Sequence, residues 1–467
     1  MKKNDKNGGR DWHEPPFGSK VGFVKKTTKT AELQLTRLIN FRQAAYDCLT
    51  HAGDALFELL DALLLSPQLA SFPELSCVPV FRRGWPSLYQ CLQDGGIDEF
   101  KELCLCLNYL PASKPPLLVG DSTAWPRLYT ETLEDCSIQH RPTPIAIQKP
   151  ITVGYGFSTL GLVPEEKGSW FLPLLHERIK SESTPSEKAA QQLETVVPLL
   201  AARPLALYDS GYGSGVFFKR TSQIECDLLV RVKPHRKLYR RPPPYSGLGR
   251  PALHGAVLRL KEPSTWGRPD EEIECKDPSL GRVRAQCWHD LHFEDAPQCP
   301  VDLIRIERLD ARGTKRDPKV IWLARREKQR KPLAECWRSY LRRYTVEHWY
   351  RFIKRNLHWT LPALSTPVQS QLWSNLVVLA YWQIFLARQG VKDQPRPWQK
   401  PLLELTPGRV QQGLGAVLAR IGTPAQAPKP RGKSPGWEKG RGRTKRTRYP
   451  LVKKHHKKPP QTVSDTS

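Results

Sequence analysis

Two aspartates in this sequence of 467 residues each follow a short run of apolar residues. Asp121 ends the run in LLVGDST, and Asp209 ends the run in PLALYDSGYG. A carboxylate in such a place is costly unless it binds something, and sites in open α/β sheets are built at the carboxyl ends of strands. For either residue alone, a simple turn at the end of a strand remains an alternative. Two such ends on neighbouring strands favour a shared site.

A third carboxylate, Glu347, lies in the segment YLRRYTVEHWYRFIKR (340–355), which is otherwise rich in cations and aromatic residues. At about 100° per residue of α-helix, four residues of this segment fall on one face within roughly 60°: Tyr340, Arg343, Glu347 and Lys354. A charged segment is usually a solvated helix face, and such a face would pair Glu with Lys four residues later. A cationic face with one acid fits a metal ligand among phosphate-binding groups.

Three carboxylates from two strand ends and a helix suit hard divalent cations. Mg²⁺ prefers oxygen ligands and is typically held by one or two carboxylates together with substrate phosphate. Two such ions about 4 Å apart can activate an attacking water or 3′-hydroxyl and stabilise the leaving oxygen of a displacement at phosphorus. The sequence therefore predicts a magnesium site formed by Asp121, Asp209 and Glu347.

The composition points to a polyanionic partner. The net charge is +27, and thirteen Lys and Arg residues against two acids lie between residues 424 and 467. The longest apolar stretch, 372–387, contains polar residues and is shorter than the roughly 20 residues that a membrane span needs, which predicts a buried helix. The first residues lack the apolar core of a signal peptide, so we expect a cytoplasmic protein. The eleven cysteines form no paired CxxC motif, which predicts free, packed thiols.

The patterns along the chain predict an α/β layer arrangement with additions. The expected parts are a disordered basic N-terminus (1–29), a helical region (30–112), a first core segment (113–233), a β-rich insertion (234–333), C-terminal core helices (334–423) and a disordered polybasic tail (424–467). The helical region could bind DNA or could merely pack on a neighbouring domain, and its composition does not separate these alternatives.

The ordered set of motifs resembles one known family. The pattern Y-x2-R-x3-E-x6-K from Tyr340 to Lys354, the acids in GDST and YDSGYG, and the β-rich insertion between the second Asp and the Glu are similar to bacterial DDE transposases of cut-and-paste insertion sequences. The resemblance is to the YREK branch and covers about residues 114 to 390, and the C-terminal run from LTPGRV resembles cyanobacterial transposases. It implies an RNase H-like mixed sheet with flanking helices, interrupted by the insertion.

The resemblance also implies roles for individual residues. Asp121 would bridge two Mg²⁺ ions, with Mn²⁺ as a substitute, while Asp209 and Glu347 would each hold one ion. Phosphates near the cleaved end would be bound by three residues of the signature: Tyr340, Arg343 and Lys354. Members of the branch can hold a flipped base with a Trp of the insertion, for which Trp288, or else Trp266, is the candidate. The alternative for both is a core position, which is the more common place for a tryptophan in a β-rich domain.

The implied partners are double-stranded DNA, as terminal inverted repeats and as target DNA, and a second copy of the chain on the paired ends. The implied location is the bacterial nucleoid in the cytoplasm, without membrane association. Three functions remain open: a transposase that cuts element ends and joins them to target DNA, a catalytically inactive DNA-binding descendant, and a DDE-type endonuclease without strand transfer.

Overall fold

The computed structural model describes residues 20–111, 115–127, 131–140, 151–245, 247, 249–314, 318–430, 440, 442 and 445–452. Ten α-helices and fourteen β-strands lie in these ranges. The helices are α1 (Lys20–Tyr46), α2 (Gly53–Leu65), α3 (Pro86–Asp94), α4 (Glu99–Asn108), α5 (Pro185–Val196), α6 (Gly215–Arg220), α7 (Leu333–Leu341), α8 (Thr345–Arg355), α9 (Pro367–Ala387) and α10 (Pro407–Ile421).

The strands are β1 (Leu49–His51), β2 (Gly96–Ile97), β3 (Leu117–Pro126), β4 (Ser137–His140), β5 (Ile151–Leu162), β6 (Leu172–Ile179), β7 (Leu205–Tyr208), β8 (Asp227–Val232), β9 (Lys237–Tyr239), β10 (Val257–Arg259), β11 (Glu271–Asp277), β12 (Gly281–Leu291), β13 (Val301–Arg308) and β14 (Val320–Arg326).

Ten of these strands form one mixed sheet. Its order is β11-β12-β13-β14-β8-β7-β3-β5-β4, and β6 also pairs with β5. The pairs β3–β7 and β7–β8 are parallel, while β5 runs antiparallel to β3. Helix α5 connects β6 to β7 and packs on β5. The prediction of an α/β fold, an RNase H-like mixed sheet with flanking helices, is confirmed.

The insertion is β-rich, as predicted, and it continues the core sheet. Strand β14 pairs antiparallel with β8, with Ala324 opposite Val230, and β13, β12 and β11 follow outward. Without this pairing β8 would be an edge strand with unpaired backbone groups. The insertion therefore completes the sheet on the side of β8 and returns the chain to the core.

Helix α9 is the central helix of the fold. Thr366 caps it by accepting a hydrogen bond from the backbone N–H of Gln369, and Pro367 occupies its first turn. Nearly every residue of α9 is buried, and the helix packs against α1, α2, α10 and β6. The predicted buried helix is confirmed. In the part of the chain that the structure describes, no helix combines the length and apolar character needed to cross a membrane.

The N-terminal helices share the core of α9. Arg42 on α1 forms a bidentate pair with Asp61 on α2 (2.7 and 3.0 Å) and also contacts Gln383 on α9. Phe41 stacks on Trp382, which ties α1 to the same helix. This packing agrees with the alternative in which the helical region supports a neighbouring part of the fold. A DNA-binding role for the region stays a prediction.

Parts of both termini that the sequence predicts to be disordered lie within the described ranges. Helix α1 begins at Lys20, inside the predicted disordered N-terminus, whose residues 1–19 lie outside the described ranges. In the tail, the backbone N–H groups of Tyr449 and Val452 donate hydrogen bonds to the carbonyls of Glu131 and Cys136 (2.8 and 3.0 Å). The composition of the tail could not predict these contacts, because they join backbone groups and do not depend on the identity of the side chains. Residues 431–439, 441, 443–444 and 453–467 lie outside the described ranges.

The substitution Arg42→Met tests the importance of the α1–α2–α9 packing. It leaves Asp61, whose side chain is 5% exposed, buried without its partner. We expect the free energy of unfolding, measured with urea, to fall by about 3–5 kcal/mol, and Arg42→Met/Asp61→Leu to recover most of the loss. Arg420→Met, at an exposed position of α10, is the control and should change it by less than about 0.5 kcal/mol. Equal effects of the two single substitutions would contradict this prediction.

Candidate active site

Adjacent parallel strands place Asp121 and Asp209 side by side. The register pairs Leu117 with Leu205 and continues to Val119 with Leu207, so the two aspartates follow at equivalent positions. Asp209 comes directly after β7. Asp121 lies within β3, which continues to Pro126 because it also pairs with β5. The prediction that both acids end strands therefore holds for Asp209, whereas Asp121 marks the end of the parallel pairing alone.

A glycine allows the two strands to pack closely at this point. A Cβ atom on Gly120 would lie 2.0 Å from the ring of Tyr208. The ring of Tyr208 is fully buried and also packs against Tyr212 and Phe217. In the sequence GD at 120–121, the glycine thus leaves space for the ring of Tyr208, and the next residue supplies the carboxylate.

The segment that carries Glu347 is not one continuous α-helix. Helix α7 contains Tyr340, a 3₁₀ turn covers Arg342–Tyr344, and Glu347 lies in the first turn of α8. The expectation of one uninterrupted helical face across the four signature residues is therefore wrong at the turn. Glu347 and Lys354 nevertheless lie on the same side of α8, because seven residues are close to two helical turns. Arg343 reaches the same side through its contact with Glu347.

Arg343 connects two of the three acids. Its Nη1 lies 3.4 Å from Asp121 Oδ2, and its Nη2 donates to Glu347 Oε1 at 2.8 Å. The side chains of Arg343 and Asp121 are 14% and 17% exposed, whereas that of Glu347 is 39% exposed. One guanidinium thus bridges the carboxylates of β3 and α8, with Glu347 on the open side.

The electrostatics of Asp121 reflect both its burial and its neighbours. The pKa of Asp121 is raised to about 7, mainly by burial and also by the neighbouring Asp209 and Glu347, while Arg343 opposes the increase. For Arg343, burial acts to lower the pKa, but Tyr340, Asp121 and Glu347 together hold it above its usual value. The three acids are therefore close enough to influence one another, and the guanidinium balances part of their charge.

The donor set fits a divalent cation. Asp121, Asp209 and Glu347 offer only oxygen ligands, which Mg²⁺ and Mn²⁺ accept. One oxygen of each aspartate already accepts from local backbone: Ser122 N–H donates to Asp121 Oδ1 and Gly211 N–H to Asp209 Oδ1, both at 2.8 Å. These contacts orient the carboxylates. The turn interpretation of Asp209 is thus also correct, and it is compatible with a ligand role for the other oxygen.

A different cluster has ligand atoms that lie closer together. Within the described ranges, one group of three His, Cys, Asp or Glu residues brings its ligand atoms within 4.8 Å of one another, namely Cys287, His289 and Asp302. Asp302 is already paired with Arg325 and Arg330 at 2.9 Å each. Two guanidinium groups at the carboxylate oppose a further cation, so we interpret this cluster as an ion-pair network of the insertion. The eleven cysteines are free thiols, as predicted, and eight of them are buried.

The other signature residues lie at different depths. Lys354 Nζ donates to Thr123 Oγ1 at 2.6 Å, two residues along β3 from Asp121, and lies 5.7 Å from the centres of the Tyr350 and Trp359 rings. The hydroxyl of Tyr340 is buried without a hydrogen-bond partner among the residues that the structure describes, and the ring lies 6.0 Å from Arg343 Cζ.

Trp288 is not placed to stack on a base in this structure. It is 1% exposed and packs against Trp266 and Trp322. Trp266 is partly buried, and the guanidinium of Arg305 lies 5.1 Å from its ring centre. Trp288 therefore presents no free face to a base, and the guanidinium of Arg305 lies over one face of Trp266.

Sequence reasoning missed a residue that contacts the site from behind. Tyr350 Oη lies 3.0 Å from the backbone carbonyl of Asp121 and 2.9 Å from Thr159 Oγ1. Its position three residues after Glu347 and seven after Arg343 places it on the same helical face. That spacing could have identified Tyr350, but its partners on β3 and β5 could not be known without the sheet register.

The comparison with known families agrees with this geometry. Residues 45–292, more than half of the chain, match the family described as DDE superfamily endonuclease. The chain belongs to this family, whose members are enzymes that act on DNA and generally use divalent metal ions. The match includes Asp121 and Asp209, and Glu347 lies beyond it. A search among curated proteins gave no match.

Replacing Arg343 by Gln tests the charge balance of the site. In EDTA, Asp121 and Glu347 would face each other without a cation, so the free energy of unfolding should fall by about 1–3 kcal/mol. Added Mn²⁺ should raise the melting temperature of this variant more than that of the wild type, because the ion no longer competes with the guanidinium. Thermal unfolding with and without Mn²⁺ measures both effects.

The matched control for this test is Arg355→Gln. Arg355 is an exposed cation in the last turn of α8, two turns after Glu347, so the substitution removes the same charge away from the carboxylates. It should leave both quantities near wild-type values. An Arg343→Gln variant that behaves like this control would show that the guanidinium does not balance the acids.

Proposed function

We propose that this protein is a transposase that cuts DNA at the ends of an insertion sequence and joins the exposed 3′-hydroxyl to target DNA. The observation that carries the proposal is the arrangement of Asp121 and Asp209 on adjacent parallel strands with Glu347 joined to Asp121 through Arg343. Membership of the DDE endonuclease family supports it. The signature from Tyr340 to Lys354 favours the YREK branch, and the C-terminal run favours a cyanobacterial type.

The three acids would hold two Mg²⁺ ions, or Mn²⁺ in their place. When bound, such ions supply activation of the attacking water or hydroxyl and stabilisation of the leaving oxygen. The protein's own part is to keep three carboxylates in reach of one phosphodiester. Backbone N–H groups orient Asp121 and Asp209 through one oxygen each. The second oxygen of Asp209 is left for a ligand, and that of Asp121 would bind one when Arg343 moves away from it.

The cations of α8 and of the preceding turn would bind the DNA backbone. Arg343 and Lys354 flank Glu347, and a guanidinium that leaves the carboxylates can bind a phosphate with two hydrogen bonds. Tyr340 lies under Arg343, so its contact with a phosphate would require the ring to be uncovered. The net charge of +27 suits double-stranded DNA as partner. We further propose a homodimer on paired terminal repeats and action at the bacterial nucleoid.

Two other functions use part of the same features. A catalytically inactive descendant would only bind the element ends, and an endonuclease would cut them without joining. Binding alone does not require a buried carboxylate with a pKa raised to about 7 beside two other acids. This favours an enzyme over the inactive descendant. The geometry does not distinguish cutting from cutting followed by joining.

The decisive experiment incubates the full-length protein and Mg²⁺ with labelled DNA from the flanks of its gene and a target plasmid. We expect cleaved ends and joined products. Asp121→Ala, Asp209→Ala and Glu347→Ala should each lower cleavage at least about 10³-fold while end binding changes little. Glu194→Ala, an exposed acid of α5, is the control. Cleavage without joining would support the endonuclease, and binding without cleavage the inactive descendant.

The pKa of Asp121 makes metal binding dependent on pH. The carboxyl must lose its proton to bind an ion, and in the protein without metal it keeps the proton up to a pH of about 7. Affinity for Mn²⁺, measured by electron paramagnetic resonance, should therefore rise about tenfold per pH unit between roughly pH 5.5 and 6.5 and level off above 7.5. Because the folded pKa is the higher one, this group's contribution to the stability of the metal-free protein is lost as the pH rises through 7.

Asp121→Asn removes the titrating group and should abolish most of this pH dependence along with high affinity. A wild-type affinity that stays constant from pH 5.5 to 8 would contradict a proton on Asp121.

A further inference from the structure

The hydroxyl of Tyr350 touches the candidate site from its buried side. Tyr350 is 8% exposed, and its Oη contacts the backbone carbonyl of Asp121 at 3.0 Å and Thr159 Oγ1 at 2.9 Å. Asp121 and Thr159 are paired residues of β3 and β5. The Tyr350 hydroxyl, on the same helix as Glu347, thus contacts both strands at the pair Asp121–Thr159.

The contact continues into a buried chain of polar groups. Thr159 Oγ1 lies 2.8 Å from His176 Nδ1, and these two residues are paired across β5 and β6. His176 is 2% exposed, and burial lowers its pKa to about 3, helped by Lys354, so the ring is neutral. Trp349 and Trp359 pack against the ring in T-shaped, edge-to-face contacts.

The count of protons sets a direction along this chain. A phenol has one proton, so Tyr350 cannot donate fully to both partners. If His176 Nδ1–H donates to Thr159 and the Thr159 hydroxyl donates to Tyr350 Oη, the Tyr350 proton is left for the carbonyl of Asp121. Every contact then has its own proton, and such chains polarise their members cooperatively.

Two other polar links to β3, one from the turn before α8 and one from α8, use groups that ligands would need. Arg343 occupies the carboxylate of Asp121, which a cation would bind, and the ammonium group of Lys354, which would attract a phosphate, donates to Thr123. Tyr350 bonds to a backbone carbonyl, which neither an ion nor DNA requires. Its link between the helix of Glu347 and the strand of Asp121 can therefore persist when both are bound.

We propose that Tyr350 is a positioning residue that holds Asp121 and Glu347 at the spacing needed for a shared metal site, with Thr159 and His176 orienting its hydroxyl. The inference rests on the proposed metal-binding role of the two acids. Ligands must be held to about 0.5 Å for such a site to work, and residues behind the ligands typically change metal affinity 10–100-fold.

The test compares two hydroxyl deletions in the full-length protein. Tyr350→Phe keeps the ring and removes the contact to Asp121. Tyr155→Phe is the matched control. Tyr155, on β5, is also a buried tyrosine, and its hydroxyl also donates to a backbone carbonyl, that of Glu134, at 2.8 Å. Mn²⁺ affinity is measured by electron paramagnetic resonance, and thermal unfolding in EDTA measures the fold.

We expect Tyr350→Phe to weaken Mn²⁺ binding about 10–100-fold, while Tyr155→Phe leaves it within about twofold of the wild type at a similar loss of melting temperature. Thr159→Val should also weaken Mn²⁺ binding, whereas Thr159→Ser, which keeps a hydroxyl, should bind Mn²⁺ like the wild type. The double variant Tyr350→Phe/Thr159→Val should lose no more Mn²⁺ affinity than Tyr350→Phe alone. Equal affinities of Tyr350→Phe and Tyr155→Phe would overturn the proposal and leave Tyr350 as a core residue.

Titration of Asp121→Ala separates this failure from failure of the proposed function. If the wild type binds Mn²⁺ and Asp121→Ala does not, the site exists and the Tyr350 comparison decides the positioning role. If wild type and Asp121→Ala bind Mn²⁺ equally, the acids are not the ligands, and both the site and the role of Tyr350 are overturned.

Discussion

The balance of charge around Asp121 is the constraint on which the site depends. A mostly buried carboxylate next to two other acids must be neutralised by a proton or by a cation. The fold supplies Arg343, whose guanidinium joins Asp121 to Glu347. A group that cannot give up its proton is a suitable internal counter-ion, because it holds the carboxylates together at any physiological pH. The same group can bind a phosphate when another cation takes its place.

The topology of the sheet brings these charged residues together from distant parts of the sequence. Parallel pairing of β3 with β7 aligns the two aspartates, and about a hundred residues of insertion then separate them from α8. The insertion does not displace α8, because β14 pairs with β8 and the chain re-enters the core beside the strands that it left. Extending the sheet lets a large insertion be carried without moving the third carboxylate.

Sequence patterns predicted the parts of the site that depend on local order. Apolar runs ending in Asp identified two strands, and the spacing from Arg343 to Lys354 identified a helical face. The 3₁₀ turn at Arg342–Tyr344 was missed, because no Gly or Pro marks it and neighbouring contacts determine it. The partners of Tyr350 were missed for a related reason, because they depend on the register between β3 and β5. The burial of Trp288 agrees with the core alternative that the sequence favours.

The acids differ in exposure, so the site has a buried side and an open side. Asp121 is closed from behind by Tyr350 and the aromatic side chains around His176, while Glu347 has the most exposed of the ion-paired side chains at the site. Arg343, in the turn before α8, and Lys354, on α8, lie on the same side of the segment, before and after Glu347. A DNA strand that follows these two cations would lie along α8 with its phosphates over Glu347. In the proposed function, the buried side would fix the ligands and the open, cationic side would receive the substrate, which is the division of roles that a strand-cutting site requires.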